Sequence, residues 1–129
     1  MAYGRISHEY RKNAVNGASP LQLIIMLYDG ALRFMEGGRH AIAHHDYVKQ
    51  NEQLQHAQKI VMELMSCLDM EKGGEVAKNL LSLYTYVLNE LVKGNCDDDP
   101  ECINRCIKVM RDLRESWVAI SSQGEAIAA

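Results

Sequence analysis

The sequence predicts an all-α fold: an antiparallel four-helix bundle preceded by an N-terminal arm or short cap helix. Three observations carry this. Only two prolines and nine glycines interrupt 129 residues, and long stretches of helical apolar spacing lie between them. No stretch alternates apolar and polar residues in the manner of a half-buried strand. The connections are short, and short connections between long helices make successive helices antiparallel neighbours. A chain of this length forms one domain with an adequate core. It divides into an arm over 1–18, a bundle over 19–121 and a flexible tail over 122–129.

The first helix is expected from Pro20 to about Ala43. Ser19 is a good N-cap, because its hydroxyl can accept a hydrogen bond from a first-turn N–H that has no helical partner. Pro20 suits the first helical position, where its missing N–H costs nothing. The second helix is expected from about Tyr47 to Leu68, with Asp46 as N-cap. The third runs from about Glu75 to Lys93, between Gly73-Gly74 and Gly94, the latter read as a left-handed residue that ends it. The fourth runs from Pro100 to about Ser121, with Asp99 as N-cap and Pro100 at the first position.

The apolar faces are wide. On the third helix, residues from Leu83 and Val76 through Leu80 and Tyr84 to Leu81 and Leu88 fill an arc of roughly 180°. On the first, residues from Leu23 and Leu27 to Tyr28 and Ile25 cover roughly 200°. The fourth repeats the pattern from Val109 through Cys106 and Trp117 to Val118. A bundle helix needs an apolar face only somewhat wider than about 100°. Either the arcs fill a thick core, with the arm covering the rest, or some of this surface is a groove for an amphipathic helix. Met26, Met62 and Met65 fit either role, because an unbranched thioether fills core gaps and also adapts to varied partners. The two edges of the third helix cannot both face one axis. The edge Leu81–Tyr84–Leu88 is expected to face a partner, with Tyr86 at its rim, while Val76, Leu83 and Val87 line the core.

The arm is polar and basic around Ile6, Tyr10, Ala14 and Val15. Their spacing allows them to lie on the bundle, either as a staple or as a plug over a groove that a partner displaces.

Composition excludes several classes of function. The formal charge of −3 supplies no basic field for nucleic acid or anionic lipid. No apolar run reaches membrane length and the first ten residues lack a signal-peptide core, so a cytoplasmic location is expected, without membrane insertion. The four cysteines form no C-x-x-C motif. Cys102 and Cys106 share a helical face with Leu113 and are expected as buried free thiols. His40 and His44 have a spacing that can bind metal, but near a helix C-terminus they are expected as solvated residues. Glu36 to His40 and Glu52 to His56 are each one residue too long for the Glu-x-x-His motif of di-iron bundles. Asp97-Asp98-Asp99 lacks the alternating ligands and the later Glu of a calcium loop. No phosphate loop or nucleophile elbow is present. Neither catalysis nor a cofactor or metal is expected.

The stretch Tyr10-Arg-Lys-Asn-Ala-Val-Asn-Gly-Ala-Ser-Pro20, running into Leu23-Ile-Ile-Met-Leu-Tyr-Asp-Gly30, resembles the opening of the FliS family, flagellar export chaperones that bind flagellin. Asn79-Leu-Leu-Ser-Leu-Tyr-Thr-Tyr86 and Trp117 agree with it, and the likeness runs from about Tyr10 to Ser121. The resemblance implies a chaperone that sequesters the disordered C-terminal segment of flagellin in an apolar groove and keeps it competent for secretion. It implies an arm that meets the client-binding surface, with Tyr10 and Val15 as the matched positions and Ile6 less securely matched. An export gate component, and a flagellar regulatory protein sharing the surface, are further expected partners. The residues offered for partner binding are Ile6, Tyr10, Val15, Met26, Met62, Met65, Leu81, Tyr84, Tyr86, Leu88 and Trp117. The free chain is expected as a monomer or weak homodimer. The alternative is a structural or regulatory adaptor that self-associates through its excess apolar surface.

Overall fold

A computed structural model of the chain describes residues 19–128, with side chains as far as residue 122. The arm, with Ile6, Tyr10 and Val15, lies outside the described residues. Four helices follow: α1 (Pro20–Ala43), α2 (Tyr47–Ser66), α3 (Met70–Asp97) and α4 (Pro100–Ala128). They form an all-α bundle without strands among the described residues. α1 and α3 each pack against both α2 and α4, whereas the diagonal pair α1 and α3 makes no backbone approach. Neighbours run antiparallel. Asp29, in the first half of α1, meets Arg114 at the middle of α4, whereas Arg39 near the end of α1 meets Asn104 near the start of α4, and Gln50 at the start of α2 meets Asn95 at the end of α3.

The helix starts follow from local chemistry. Ser19 Oγ accepts from the Gln22 N–H at 3.1 Å, and the Ser19 N–H donates back to Gln22 Oε1 at 2.8 Å. This reciprocal cap satisfies two first-turn donors at once. Asp46 accepts from the Lys49 N–H at 3.1 Å, and Asp99 accepts from the Glu101 N–H at 2.9 Å.

Four helix boundaries differ from expectation. α2 stops at Ser66, not Leu68, because the chain must turn for Asp69, whose carboxylate accepts from the N–H groups of Glu71 and Lys72 and starts α3 early. The expected start at Glu75 survives as a kink. Gly74 has φ 53° and ψ −131°, a conformation that only glycine adopts without strain, so Met70–Gly73 is a separate first turn. At the other end, Gly94 is not the terminating residue. It lies buried inside α3, and the left-handed residue is Asp98, with φ 52°. An Asp tolerates that conformation better than most side chains. Finally, α4 continues to Ala128, past the expected end at Ser121. Glu125, Ala126 and Ala128 are strong helix formers, and a lone Gly124 does not stop them.

The core is a single cluster built around Tyr28 and Met35 of α1, Leu54 and Val61 of α2, Tyr84 and Leu91 of α3, and Ile103 and Met110 of α4. Burying one such side chain contributes about 1.5–3 kcal/mol. Cys102 and Cys106 are buried free thiols, as their helical face predicts. Ion pairs at the rim of α4, Arg114 with Asp29, Arg111 with Glu36 and Arg105 with Glu90, are half-exposed and set orientation more than stability.

Gly94 marks where α4 starts across α3. A Cβ there would lie 2.7 Å from Ile103 Cδ1, 2.9 Å from Cys102 Cβ and 3.1 Å from the Asp99 carbonyl oxygen. On an open helix, Gly→Ala gains about 0.5–1 kcal/mol. Here Gly94→Ala is expected to cost about 1–3 kcal/mol by overpacking. A chemical denaturation midpoint equal to or above the parent's would show that the crossing relaxes freely.

Candidate functional site

The bundle is open at one end. There the start of α1, the end of α2, the first half of α3 and the second half of α4 leave an apolar pocket of about 350 Å³. Ile24 comes from α1, Leu64 from α2, Leu68 from the turn after it, Val76 and Leu80 from α3, and Trp117 from α4. Asp69, Lys72 and Gly73 contribute from the short turn before the Gly74 kink. That kink gives the opening its local cause, since α3 is interrupted where it would otherwise continue as one straight wall. A second pocket of about 300 Å³ lies beside the first between α1 and α2, and shares Ile24 and Cys67 with it. Pro20, the first residue of α1, also lines the second pocket.

Behind the pocket three aromatic side chains meet. The hydroxyls of Tyr28 and Tyr84 are 2.5 Å apart, and neither residue is more than 1% exposed. The Tyr28 ring centroid lies 6.4 Å from that of Tyr84 and 6.5 Å from that of Trp117. A buried hydroxyl without a partner costs about 1–3 kcal/mol, and pairing the two tyrosines removes that cost for both. Burial pushes both phenols above their ordinary range, and for Tyr84 the nearby Tyr28 adds to the rise.

The exposed apolar surface lies elsewhere on α3 than expected. Val76 is 67% exposed and Leu83 37%, whereas Tyr84 is 1% and Val87 0% exposed. Tyr84 and Val87 thus belong to one central stripe, with Leu83 and Val76 on one flank and Leu81 and Leu88 half-buried on the other. This corrects the expected division, in which Tyr84 faced a partner while Val76 and Leu83 faced the core. Helical spacing supplies the angles between residues but not the direction of the bundle axis. Tyr86 is exposed, as its position outside the arc implies.

Of the other residues offered for partner binding, Met26 and Met62 are exposed on the outer surfaces of α1 and α2, and Met65 is half-buried against the core. Tyr84 and Trp117 are the two that line one pocket together. Ile24, Leu68 and Leu80 complete that pocket and were not singled out. Tyr28 was also missed, although a tyrosine in so apolar an arc signals a buried partner for its hydroxyl.

The polar constellations have ordinary surroundings. His44 Nδ1 lies 2.8 Å from the His40 carbonyl oxygen at the end of α1. Among the described residues no group of three or more His, Cys, Asp or Glu side chains could hold a metal ion. Also among the described residues, no helix is long and apolar enough to cross a membrane. The Cys106 thiol donates to the Val87 carbonyl oxygen, and burial pushes its pKa to about 12. Cys67 and Cys96 are exposed.

The family model described as "Flagellar protein FliS" matches residues 3–124. A flagellar secretion chaperone FliS of Salmonella typhimurium is 38% identical over 121 residues, covering 93% of this chain and 87% of the relative. A protein of the same description from Campylobacter jejuni is 38% identical over 108 residues, covering 84% of each chain. One from Vibrio cholerae is 33% identical over 116 residues, covering 90% of this chain and 83% of the relative.

The raised phenol pKa values predict an alkaline limit on stability. An unfolded tyrosine loses its proton near pH 10, whereas folded Tyr28 and Tyr84 hold theirs to higher pH. Their contribution is therefore complete below about pH 10 and is lost as pH rises above it. Tyrosinate absorbance should stay incomplete while the chain is folded, with the last fraction appearing together with loss of helical circular dichroism. Full ionisation of all tyrosines in a chain that is still helical would contradict the buried pair.

Proposed function

Because the chain belongs to the FliS family of flagellar secretion chaperones, we propose that its client is flagellin, held by its C-terminal segment against the open end of the bundle and the exposed flank of α3. The protein is a flagellar export chaperone and not an enzyme. The observation that carries the finer reading is the apolar pocket under Trp117, with Val76 at its edge and Leu83 beyond it on the same flank. An amphipathic segment laid along that flank buries its apolar face in the manner of helix-in-groove recognition. A client disordered before binding loses ordering entropy as it docks, so it can cover a long surface and still be released into a secretion channel. Hiding that face prevents premature polymerisation of flagellin. The work is done in the cytoplasm, before the client passes to a component of the export gate, and a flagellar regulatory protein is a candidate second partner. The free chain is a monomer or a weak homodimer in this reading.

Calorimetric titration with a flagellin C-terminal peptide tests the proposal directly. Saturable one-to-one binding is expected, and a stable dimer indifferent to the peptide would support a self-associating adaptor instead. Val76→Glu and Leu83→Glu should keep the parental thermal midpoint closely, because both sites are open to solvent. Each should weaken peptide binding by on the order of 2 kcal/mol, since a charge would be buried in an apolar contact. Leu88→Glu should instead lower the thermal midpoint, because Leu88 packs on the core. Parental affinity in both flank variants would place the client elsewhere.

Removal of residues 1–16 tests the arm. The shortened chain should keep its helical circular dichroism, and either its peptide affinity or its self-association should change as apolar surface is bared. Global unfolding would make the arm an integral part of the core.

A further inference from the structure

α1 and α3 lie across the bundle from each other and do not meet through their backbones. Across the core, their side chains are linked by the bond between the hydroxyls of Tyr28 and Tyr84. The two helices run in the same direction. Ile24 lies four residues before Tyr28 and Leu80 four residues before Tyr84, so both sit one helical turn from the bond on the same side of it. Ile24 and Leu80 are the α1 and α3 walls of the apolar pocket, and Tyr84 itself lines it. Trp117 of α4 closes the remaining side against the Tyr28 ring.

We infer that the Tyr28–Tyr84 hydroxyl bond fixes the separation of the two pocket walls and so sets the size of apolar side chain that a client helix can seat there. The inference rests on the pocket being a client site. Two phenylalanines would fill nearly the same core volume as the two tyrosines, so packing alone does not call for the hydroxyls. A hydrogen bond is short and directional, and it holds two diagonal helices at one spacing where ring contacts tolerate a range. Tyr28 and Tyr84 are thus positioning residues, acting on the client through Ile24, Leu80 and Trp117.

The asymmetry between removing one and both hydroxyls separates positioning from stability. Tyr28→Phe leaves the buried Tyr84 hydroxyl without its partner and should lower the thermal midpoint, whereas in Tyr84→Phe the Tyr28 hydroxyl keeps its interaction with Trp117 and the drop should be smaller. The double variant removes both polar groups and keeps both rings, which is close to neutral for folding, so its midpoint should return toward the parent's. Its affinity for the flagellin C-terminal peptide should nevertheless stay about tenfold weaker than the parent's, a loss of about 1.4 kcal/mol.

A second measurement needs no client. Spin labels are attached at Met26→Cys and Lys78→Cys, both exposed, in a chain with Cys67 and Cys96 changed to Ser. The label distance should lengthen or broaden in the double variant. The inference is overturned if the double variant binds the peptide like the parent, if its label distances match the parent's, or if it does not fold. Should the parent itself fail to bind the peptide, the functional reading falls, and the label distances alone decide the role of the tyrosine pair.

Discussion

Gly30, Gly37 and Gly38 put the α1–α2 seam in close contact, and the arrangement of the other helices follows from that. A Cβ at Gly38 would lie 2.6 Å from Leu54 Cγ, and one at Gly30 would lie 3.2 Å from Ile60 Cδ1. Helices without side chains at the contact approach closely and gain dispersion contacts along the whole seam. The seam is accordingly the most extensive in the bundle, and α3 is the helix held least extensively by its neighbours. A ring of four helices with one tight seam cannot be equally tight everywhere. The slack is at the end where α3 is broken by Gly74, and that is where the apolar pocket lies.

The two ends of the bundle are chemically opposite. At the closed end the buried Gln50 amide donates to the Asn95 side-chain oxygen at 3.0 Å and to Asp98 Oδ1 at 2.8 Å, tying α2 to the α3–α4 turn. Asn51 accepts from Asn95 at 3.0 Å beside it. Directional polar ties of this kind admit one register and resist sliding. At the open end the lining is mostly apolar, with Asp69 and Lys72 at the helix-start turn. Apolar contact is non-directional and tolerates a partner that varies in sequence. One end is thus held in register by directional polar ties, while the other keeps a mostly apolar lining, with the buried tyrosine pair behind it.

A chaperone for an aggregation-prone segment must itself expose apolar surface, which is a hazard for any protein. Here the exposed apolar residues are spread over several helices, and polar neighbours dilute them. Val76 and Leu83 are flanked by Glu75, Lys78, Asn79 and Ser82, and Lys78 pairs with Glu75 at 3.5 Å. A formal charge of −3 adds mild repulsion between copies.

Three of the four helix starts were legible in the sequence because caps are local, while the Asp69 cap of α3 was hidden behind Gly73-Gly74, which read as a loop. Ser19-Pro20, Asp46 and Asp99-Pro100 each act within one turn of themselves, and all three start their helices where read. The full span of α1 and the free, buried state of Cys102 and Cys106 were legible for the same reason, being properties of one helix and its pattern. Gly94 was misread because its lack of a side chain serves a crossing by α4, a non-local demand that looks in sequence like a helix stop. Of the site, Trp117 and Tyr84 were named, yet Tyr84 was placed on the wrong surface, and Ile24, Leu68 and Leu80 looked like any other core residues. Periodicity sets the angle between Leu83 and Tyr84 but has no origin. Only packing against α2 and α4 decides that Tyr84 points to Tyr28 and Leu83 to solvent, because the direction of burial belongs to the assembled bundle and not to any one helix.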